Sequence, residues 1–239
     1  MGRGVFEASK RSSVRTMRLD ELKAALASSR AGGIFAGFQQ QDAHEAFVKM
    51  IECIRDENGK AYNCPFSHTI HVEITCEQCG HRVNIEEPGH LNIMVDVRAE
   101  KREWVADALG KSRERLSKDC DACKEKLVEH VRTSLLTTLP QVMVVQLRRF
   151  AFKAGRMTKV DDAFLPQRRL VVSSDASKTF QLRGIISHHG NDAGSGHYDA
   201  CVRRAEFWHR FNDGHVATLS ERDVFKPSRT HYLLFYDLT

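Results

Sequence analysis

Two pairs of cysteines with Cys-x-x-Cys spacing constrain the middle of this chain more than any other feature of its sequence. Cys76 and Cys79 form the first pair, and Cys120 and Cys123 form the second, with 40 residues between the pairs. Structural zinc is bound tetrahedrally by four such ligands, and a two-residue gap lets both sulfurs of a pair reach one ion. The sequence therefore predicts one structural zinc ion held by all four thiolates. The alternative is two unrelated redox-active or buried cysteine pairs.

The composition limits the size of the fold and its surroundings. With 239 residues, 41% of them hydrophobic, the chain can bury a sizeable core in one domain with a subdomain. Cys53, Cys64 and Cys201 are single and widely spaced, which is unlike a secreted disulfide scaffold and indicates the cytoplasm or the nucleus. No stretch approaches the roughly 18 apolar residues needed to cross a bilayer, so we expect no membrane partner.

The positive charge of the chain is concentrated near its first residue. The formal net charge is +5, and the first 30 residues hold seven Lys and Arg against three acids. The rest of the chain is close to neutral, whereas a nucleic-acid-binding domain usually concentrates positive charge on its folded face. We therefore expect no nucleic-acid partner, which argues against a zinc-ribbon nucleic-acid module. Residues 1–16 are interpreted as a flexible basic leader.

The hydrophobic periodicity changes from helical to extended along the chain. Apolar residues at helical spacing predict a helix over 43–54, and alternation over 91–97 predicts a half-buried strand. A further helix is predicted around 105–116, before the second cysteine pair. The continuous apolar run 142–145 indicates a strand buried on both faces. Helices first, a mixed middle and strands last indicate an α+β fold with a metal-pinned insertion.

A histidine between glycine and tyrosine is the candidate general base. The glycines before His197 let a substrate backbone approach the imidazole closely. Asn212 and Asp213 follow in an aromatic-framed segment, where an amide or carboxylate can accept a hydrogen bond from the second ring nitrogen. A structural histidine and an ordinary hairpin turn at Asn212-Asp213-Gly214 are the alternative interpretations.

Several motifs in a fixed order resemble the ubiquitin-specific proteases, papain-like cysteine hydrolases with fingers, palm and thumb subdomains. The resemblance runs roughly from Met17 to Thr239 and includes both cysteine pairs. Its other segments are Gln40–Glu45, Leu139-Pro140, Leu147–Phe150, His188–Gly190, Ser195–Tyr198, Trp208 to Asp213 and Tyr232–Tyr236. The resemblance implies an α+β papain-like fold with the catalytic domain over 17–239 and zinc-pinned fingers over about 67–135.

The resemblance also implies roles for individual residues. His197 is then the general base and Asn212 its orienting partner, with Asp213 as an alternative or assisting carboxylate. The implied partner is ubiquitin or a ubiquitinated protein, and the implied reaction is thiol attack at the terminal glycine of ubiquitin followed by hydrolysis. A carboxylate near the ubiquitin tail suits its arginines. The residues expected to bind that tail are Gln41, Asp42, His188 and Tyr198.

The nucleophile of the family is missing from this pattern. In the family it lies in an Asn-Thr-Cys-type segment upstream of the Gln-Gln-Asp run, but no cysteine precedes Gln40 here. Cys53 lies on the predicted helix, Cys64 precedes a proline in a loop and Cys201 lies on a predicted strand, so none is a good substitute. We expect a deubiquitinase domain truncated before its nucleophile, without the N-terminal part of the thumb. The alternative is a catalytically inactive ubiquitin-binding pseudoenzyme or scaffold.

Overall fold

The structure is a computed structural model that describes most of the chain. The predicted leader over 1–16 and the first half of the predicted helix around 105–116 lie outside the described residues. The chain divides into two compact units, Met1–Cys64 and Pro65–Thr239. The described residues are 21–29, 33–37, 40–59, 62–97, 111–153, 155–172, 175–191 and 195–239.

The first unit is helical over much of its described part. Helix α1 covers 21–28, a short 3-10 turn covers Gly33–Phe35, and helix α2 covers Ala43–Asn58. The predicted apolar stripe lies on α2, which buries Phe47 and Ile51. No helix among the described residues is long and apolar enough to span a membrane.

The second unit consists mainly of strands that pair antiparallel. A single short helix, α3 (Glu221–Val224), occurs among its described residues. The strands in chain order are β1 (His68–Cys76), β2 (Arg82–His90), β3 (Ile93–Asp96), β4 (Lys111–Lys118), β5 (Val128–Leu136), β6 (Val142–Arg148), β7 (Phe150–Lys153), β8 (Arg156–Lys159), β9 (Arg169–Val172), β10 (Asp175–His189), β11 (His197–Arg204), β12 (Phe207–Asn212), β13 (His215–Leu219) and β14 (His231–Leu238).

Four strands form a small antiparallel sheet in the order β2-β1-β5-β4. The β1–β2 hairpin and the β4–β5 hairpin pair through their inner strands, with Cys76 opposite His130. Because β1 and β5 are antiparallel, the turns of both hairpins lie at the same end of the sheet. This topology brings two segments that are distant in the sequence to one place.

The helix predicted around 105–116 is wrong in its described part. Leu116 lies on strand β4, opposite His130 of β5. The segment Lys111–Lys118 contains one large apolar residue, so it cannot bury a helical stripe, and pairing with β5 satisfies its backbone instead.

Eight strands form a large sheet that carries most of the core. Seven lie in the order β13-β12-β11-β10-β14-β6-β3, and β9 pairs with β10. Only the β3–β6 pair is parallel among the described strands. The predicted doubly buried strand is confirmed, because Met143, Val144 and Val145 on β6 have no exposed surface. The α+β class is confirmed as well, since helices and antiparallel sheets occupy separate stretches of the chain.

Candidate active site and metal centre

His197 is the first residue of β11, at one end of the large sheet. β11 lies between β10 and β12, and His197 is opposite His189 of β10. The His197 side chain is 45% exposed. Sheet pairing therefore fixes the main chain of His197 while the imidazole stays accessible to a substrate.

Asn212 is the last residue of β12, and its side chain contacts the His197 ring. Asn212 Oδ1 lies 2.5 Å from His197 Nε2, and Asp213 Oδ2 lies 4.0 Å from the same nitrogen. Asp213 has a φ of 50° and begins the two-residue turn between β12 and β13. The structure thus brings together the residues that the sequence paired, and the hairpin turn is what places the amide beside the ring.

The Asn212 contact defines the state of both ring nitrogens. An amide oxygen only accepts hydrogen bonds, so His197 Nε2 must donate in this contact. In a neutral imidazole, Nδ1 then carries a lone pair and can take a proton from a thiol or from water. This arrangement suits a general base that exchanges protons through Nδ1.

Two glycines let the loop before β11 pack tightly on the ring of His188. A Cβ on Gly196 would lie 2.3 Å from His188 Nε2, and a Cβ on Gly190 would lie 2.5 Å from the Ser195 carbonyl oxygen. Neither position therefore accepts a larger residue without movement of the backbone. His188 itself is 2% exposed, and its ring centroid is 4.8 Å from that of Tyr198. His188 thus supports Tyr198 from inside the fold, and its contact with a ubiquitin tail stays a prediction.

A buried carboxylate lies next to the histidine–asparagine pair, and no sequence motif singled it out. Asp199 follows His197 on β11 by two residues, and its side chain is 4% exposed. Asp199 Oδ2 accepts hydrogen bonds from Arg210 Nε at 2.8 Å, from Arg210 Nη2 and from His189 Nε2 at 2.9 Å. The one signal in the sequence is a spacing of two residues, because residues two apart on a strand lie on the same face. Asp199 therefore shares a face of β11 with His197, and Arg210 shares a face of β12 with Asn212.

Two further cations hold main-chain carbonyls near the site. Lys159 belongs to no motif of the sequence, and Arg149 lies in the Leu147–Phe150 segment without a role predicted for it. Lys159 Nζ donates to the carbonyl oxygens of His188 at 3.0 Å and Gly190 at 2.7 Å. Arg149 is 1% exposed, and burial lowers its pKa to about 10, which leaves it charged at neutral pH. Its guanidinium donates to four carbonyl oxygens, those of Val160, Asp162, Ser228 and His231.

Asp42 caps helix α2. Its Oδ1 accepts hydrogen bonds from the backbone N–H groups of His44 at 2.9 Å and Glu45 at 3.0 Å. An aspartate directly before a helical apolar stripe is an N-cap signal, so the sequence contained this structural role beside the functional one. Gln41 precedes the cap and is partly buried. Binding of a ubiquitin tail by Gln41 and Asp42 stays a prediction.

The three single cysteines lack the surroundings of a catalytic thiol. Burial raises the pKa of the Cys201 thiol to about 11. Cys53 is 2% exposed, and its Sγ lies 2.7 Å from Ser29 Oγ. Cys64 is partly buried and hydrogen-bonded to Tyr62. A nucleophilic cysteine needs an accessible sulfur and a neighbouring base. Cys53 is not accessible, the Cys201 thiolate is disfavoured, and the described partner of Cys64 is a tyrosine and not a histidine.

Four cysteine sulfurs meet where the two hairpin turns of the small sheet lie together. The Sγ atoms of Cys76, Cys79, Cys120 and Cys123 are all within 4.8 Å of one another, and those of Cys79 and Cys120 are 3.7 Å apart. A tetrahedral ion with Zn–S bonds of about 2.3 Å separates its sulfurs by about 3.8 Å, so the donor set and the spacing fit zinc.

The two cysteine turns share one backbone geometry. Gly80 N donates to the Cys76 carbonyl, and Lys124 N donates to the Cys120 carbonyl, both at 2.9 Å. Gly80 has a φ of 72° and Lys124 a φ of 62°. Two equivalent turns that face one another favour a shared metal over two independent redox pairs.

The protonation chemistry of the cluster also favours a cation. Backbone hydrogen bonds from Cys123 and Ala122 lower the pKa of the Cys120 thiol to about 6. A backbone hydrogen bond at His81 acts in the same direction on Cys79, but desolvation and contacts with the neighbouring sulfurs raise its pKa to about 11. One thiolate therefore forms readily and opposes the next, and a divalent ion removes that opposition.

The chain is similar to known proteins along most of its length. A sequence model described as "Ubiquitin carboxyl-terminal hydrolase" matches residues 3–236. The chain is 28% identical over 232 residues to ubiquitin carboxyl-terminal hydrolase 23 of Arabidopsis thaliana, a match that covers 84% of this chain and 26% of that protein. It is 26% identical to ubiquitin carboxyl-terminal hydrolase 8 of Saccharomyces cerevisiae, covering 85% of this chain and 50% of that protein. The chain thus spans half of the length of these relatives or less.

Two solved structures share the fold. One is a SAGA Ubp8/Sgf11/Sus1/Sgf73 DUB module bound to ubiquitin aldehyde, with a TM-score of 0.75 at 26% identity, covering 92% of this chain and 54% of that one. The other is a SAGA DUB module that contains a Ubp8 variant and is bound to monoubiquitin, with a TM-score of 0.76 at 25% identity, covering 97% of this chain and 55% of that one. The sequence match over nearly the whole chain, together with this fold, shows that the chain belongs to the ubiquitin carboxyl-terminal hydrolase family.

Proposed function

We propose that this chain provides the proton-transferring part of a deubiquitinating thiol hydrolase, which cleaves the bond after the C-terminal glycine of ubiquitin. The observation that carries the proposal is the 2.5 Å contact between His197 Nε2 and Asn212 Oδ1 in a chain of this family. In this reaction a thiolate attacks the glycine carbonyl, the amine leaves and water hydrolyses the acyl-enzyme. His197 Nδ1 takes the thiol proton, gives it to the departing amine and then accepts a proton from water, while Asn212 holds the ring.

Ubiquitin is the proposed partner, recognised mainly through its extended C-terminal tail. The support is the likeness to two Ubp8-containing modules that are bound to ubiquitin aldehyde and to monoubiquitin. Gln41, Asp42 and Tyr198 are the proposed tail contacts, with His188 behind Tyr198. The Asp42 carboxylate suits an arginine of the tail, because a guanidinium and a carboxylate form charge-assisted hydrogen bonds.

Zinc is the proposed ion at Cys76, Cys79, Cys120 and Cys123. Four thiolates close the coordination sphere and leave no position for a reactive water, so the ion would be structural. It would hold the two hairpin turns of the small sheet together, and this sheet is the proposed fingers subdomain within a catalytic domain over 17–239. The thiolate cluster and the reduced single cysteines fit a reducing compartment, and we propose the cytoplasm or the nucleus.

The first test of the proposal measures hydrolysis by the purified 239-residue chain. Cys53 is buried, the Cys201 thiolate is disfavoured and the described partner of Cys64 is a tyrosine, so we expect negligible cleavage of a ubiquitin–fluorophore substrate. Loss of the nucleophile from a comparable triad costs about six orders of magnitude in turnover. Robust cleavage by this chain would contradict the account of its cysteines.

An alternative function is ubiquitin binding without hydrolysis, as a pseudoenzyme or scaffold. The observation in its favour is the same set of unsuitable thiols, Cys53, Cys64 and Cys201. It predicts measurable ubiquitin binding in a calorimetric titration and no labelling by a ubiquitin probe with a vinyl-type electrophile. Labelling that disappears in Cys201→Ala or Cys53→Ala would reject it.

A further inference from the structure

Three polar residues near the candidate base form hydrogen bonds with one another across three neighbouring strands of the large sheet. They are His189 on β10, Asp199 on β11 and Arg210 on β12, so each of the three neighbouring strands contributes one. The pairs are diagonal across the strands, because the register places His189 opposite His197 and Arg210 opposite Cys201. Diagonal neighbours in a sheet are within reach of long side chains.

Asp199 is the centre of this group. Its side chain is 4% exposed, whereas those of His189 and Arg210 are 38% and 41% exposed. A buried carboxylate is costly unless hydrogen-bond donors satisfy it, and Asp199 Oδ2 has three such contacts from His189 and Arg210. The carboxylate therefore fixes the positions of both side chains and not only its own.

His189 is held from two directions. Asp199 fixes its ring at Nε2, and Lys159 Nζ binds the carbonyl oxygens of the residues on either side of it, His188 and Gly190. The ring of His189 lies beside that of His197, with centroids 6.3 Å apart and planes inclined by 38°. A fixed ring at this distance limits the space in which the His197 ring can turn.

Among the described residues, the His197 ring has Asn212, Asp213 and His189 as neighbours, so a fixed His189 ring contributes to its support. The His197 side chain is 45% exposed at the end of the sheet, and its ring nitrogen Nε2 contacts the Asn212 amide. Asn212 lies two residues from Arg210, on the same face of β12. The hydrogen bonds from Arg210 to Asp199 therefore also fix the spacing between β11 and β12 next to Asn212.

We propose that Arg210, Asp199 and His189 form a positioning relay that keeps the His197 ring against Asn212, with Nε2–H donating and Nδ1 available. None of the three residues touches the reacting atoms. They act through His197, and they are distinct from its orienting partner Asn212. The relay gives a function to a buried carboxylate and its arginine partner, which the proposed hydrolase chemistry leaves unexplained. The inference rests on the proposed role of His197 as the base.

The experiment reads the His197 tautomer directly in the full 239-residue chain. Long-range ¹H–¹⁵N spectra at about pH 8, where free histidine is neutral, report which ring nitrogen carries the proton. In the wild type we expect predominantly the Nε2–H form. Asp199→Asn, which keeps the shape and removes the charge, should lower the ratio of Nε2–H to Nδ1–H by at least about fivefold, because a neutral amide oxygen holds His189 and Arg210 less firmly than the carboxylate does.

A second variant keeps the inference testable if Asp199→Asn does not fold. His189→Gln leaves the Asp199–Arg210 pair intact at a partly exposed position, and it should lower the same ratio in the same direction. The matched control is Asp237→Asn, which removes the negative charge from the Arg183–Asp237 pair, another cross-strand contact of β10, with N and O 3.0 Å apart. The control should leave the His197 signals unchanged.

Each outcome decides the inference. An unchanged His197 tautomer in His189→Gln would overturn it, and so would an equal change in Asp237→Asn. A fall in the ratio in both relay variants, with the control unchanged, would support it. Because the readout requires neither ubiquitin nor turnover, it succeeds or fails independently of the proposed function.

Discussion

At the residue scale, Lys124 adopts the left-handed backbone conformation that glycine adopts in the first cysteine turn. Gly80 and Lys124 each follow the second cysteine of a pair, with φ of 72° and 62°. A side chain in this left-handed region brings Cβ close to the neighbouring carbonyl, which costs roughly 1–2 kcal/mol, while glycine avoids that cost but loses more backbone entropy on folding. The second turn is therefore the more strained of two otherwise equivalent turns.

This difference predicts that Lys124→Gly stabilises the zinc-loaded chain. The relief of strain exceeds the entropy penalty, so the free energy of unfolding should rise by about 0.5–1 kcal/mol in urea denaturation. Lys126→Gly is the matched control, because Lys126 lies in the same turn without a positive φ, and it should lower the free energy of unfolding by a similar amount. Equal destabilisation by both variants would contradict the strain at Lys124.

The residues of the candidate site could be predicted from the sequence only where they lie in a recognisable motif. Glycines before a histidine and an amide in a turn are recognisable, and the structure places His197 and Asn212 together. Asp199 and Arg210 have no motif, since a charged residue on a strand usually faces solvent. The burial of Asp199 and its contact with Arg210 depend on the register of β10, β11 and β12, which no local pattern specifies.

At the scale of elements, the small sheet depends on its cysteine turns. β2 exposes most of its residues, and β4 contributes a single large apolar side chain, so the sheet has little core of its own. Structural zinc can supply on the order of 10 kcal/mol of coupled folding energy to such a subdomain. The spacing of the cysteines predicted this cluster, whereas the strand β4 was missed because its charged sequence shows no strand alternation.

We predict that Cys120→Ser removes the metal and loosens the small sheet. The wild-type chain should bind one zinc ion, measured by elemental analysis, and the variant should bind none. Amide hydrogen exchange should then accelerate by at least about a hundredfold in β1, β2, β4 and β5, because the hairpin turns are no longer joined.

Cys201→Ser is the matched control for the metal. It changes a cysteine of the large sheet, so zinc content and exchange in the small sheet should match the wild type. Retention of one tightly bound zinc by Cys120→Ser, with unchanged exchange in the small sheet, would contradict a site of four thiolates.

At the scale of the whole molecule, strands that are distant in the sequence determine the core. β14 lies between β10 and β6, and it pairs with both along most of its length. The apolar runs of these strands were visible in the sequence, but their order in the sheet was not, because partner choice depends on the packing of the complete fold. The resemblance to a known family supplied the fold, and the structural comparison confirms it.

The packed core also predicts sensitivity to acid. Burial, together with the nearby Arg149 guanidinium, lowers the pKa of His231 to about 4 from an ordinary value of 6.5. Between these two pH values the unfolded chain binds more protons at this position than the folded chain does, so stability falls as the pH falls. The loss from His231 alone should reach about 3 kcal/mol at pH 4.

Replacement of this histidine tests the linkage. In His231→Gln the free energy of unfolding, measured in urea from pH 7 to pH 4, should decrease less steeply than in the wild type, whatever its absolute value. His215→Gln, on the exposed edge strand β13, should keep the wild-type slope. A wild-type slope in His231→Gln would show that this residue does not carry the acid sensitivity.

The most direct test of the central claim asks whether the end of the ubiquitin tail reaches His197. A nitroxide label is attached at the C-terminus of ubiquitin, and the ring signals of His197 and Tyr198 are followed by NMR during titration. We predict strong broadening of both, weakened by Asp42→Asn, which keeps the helix cap but removes the charge. Ubiquitin labelled at the end of a shortened tail should not broaden them. Saturable binding of tail-labelled ubiquitin that leaves the His197 signals sharp would contradict the account.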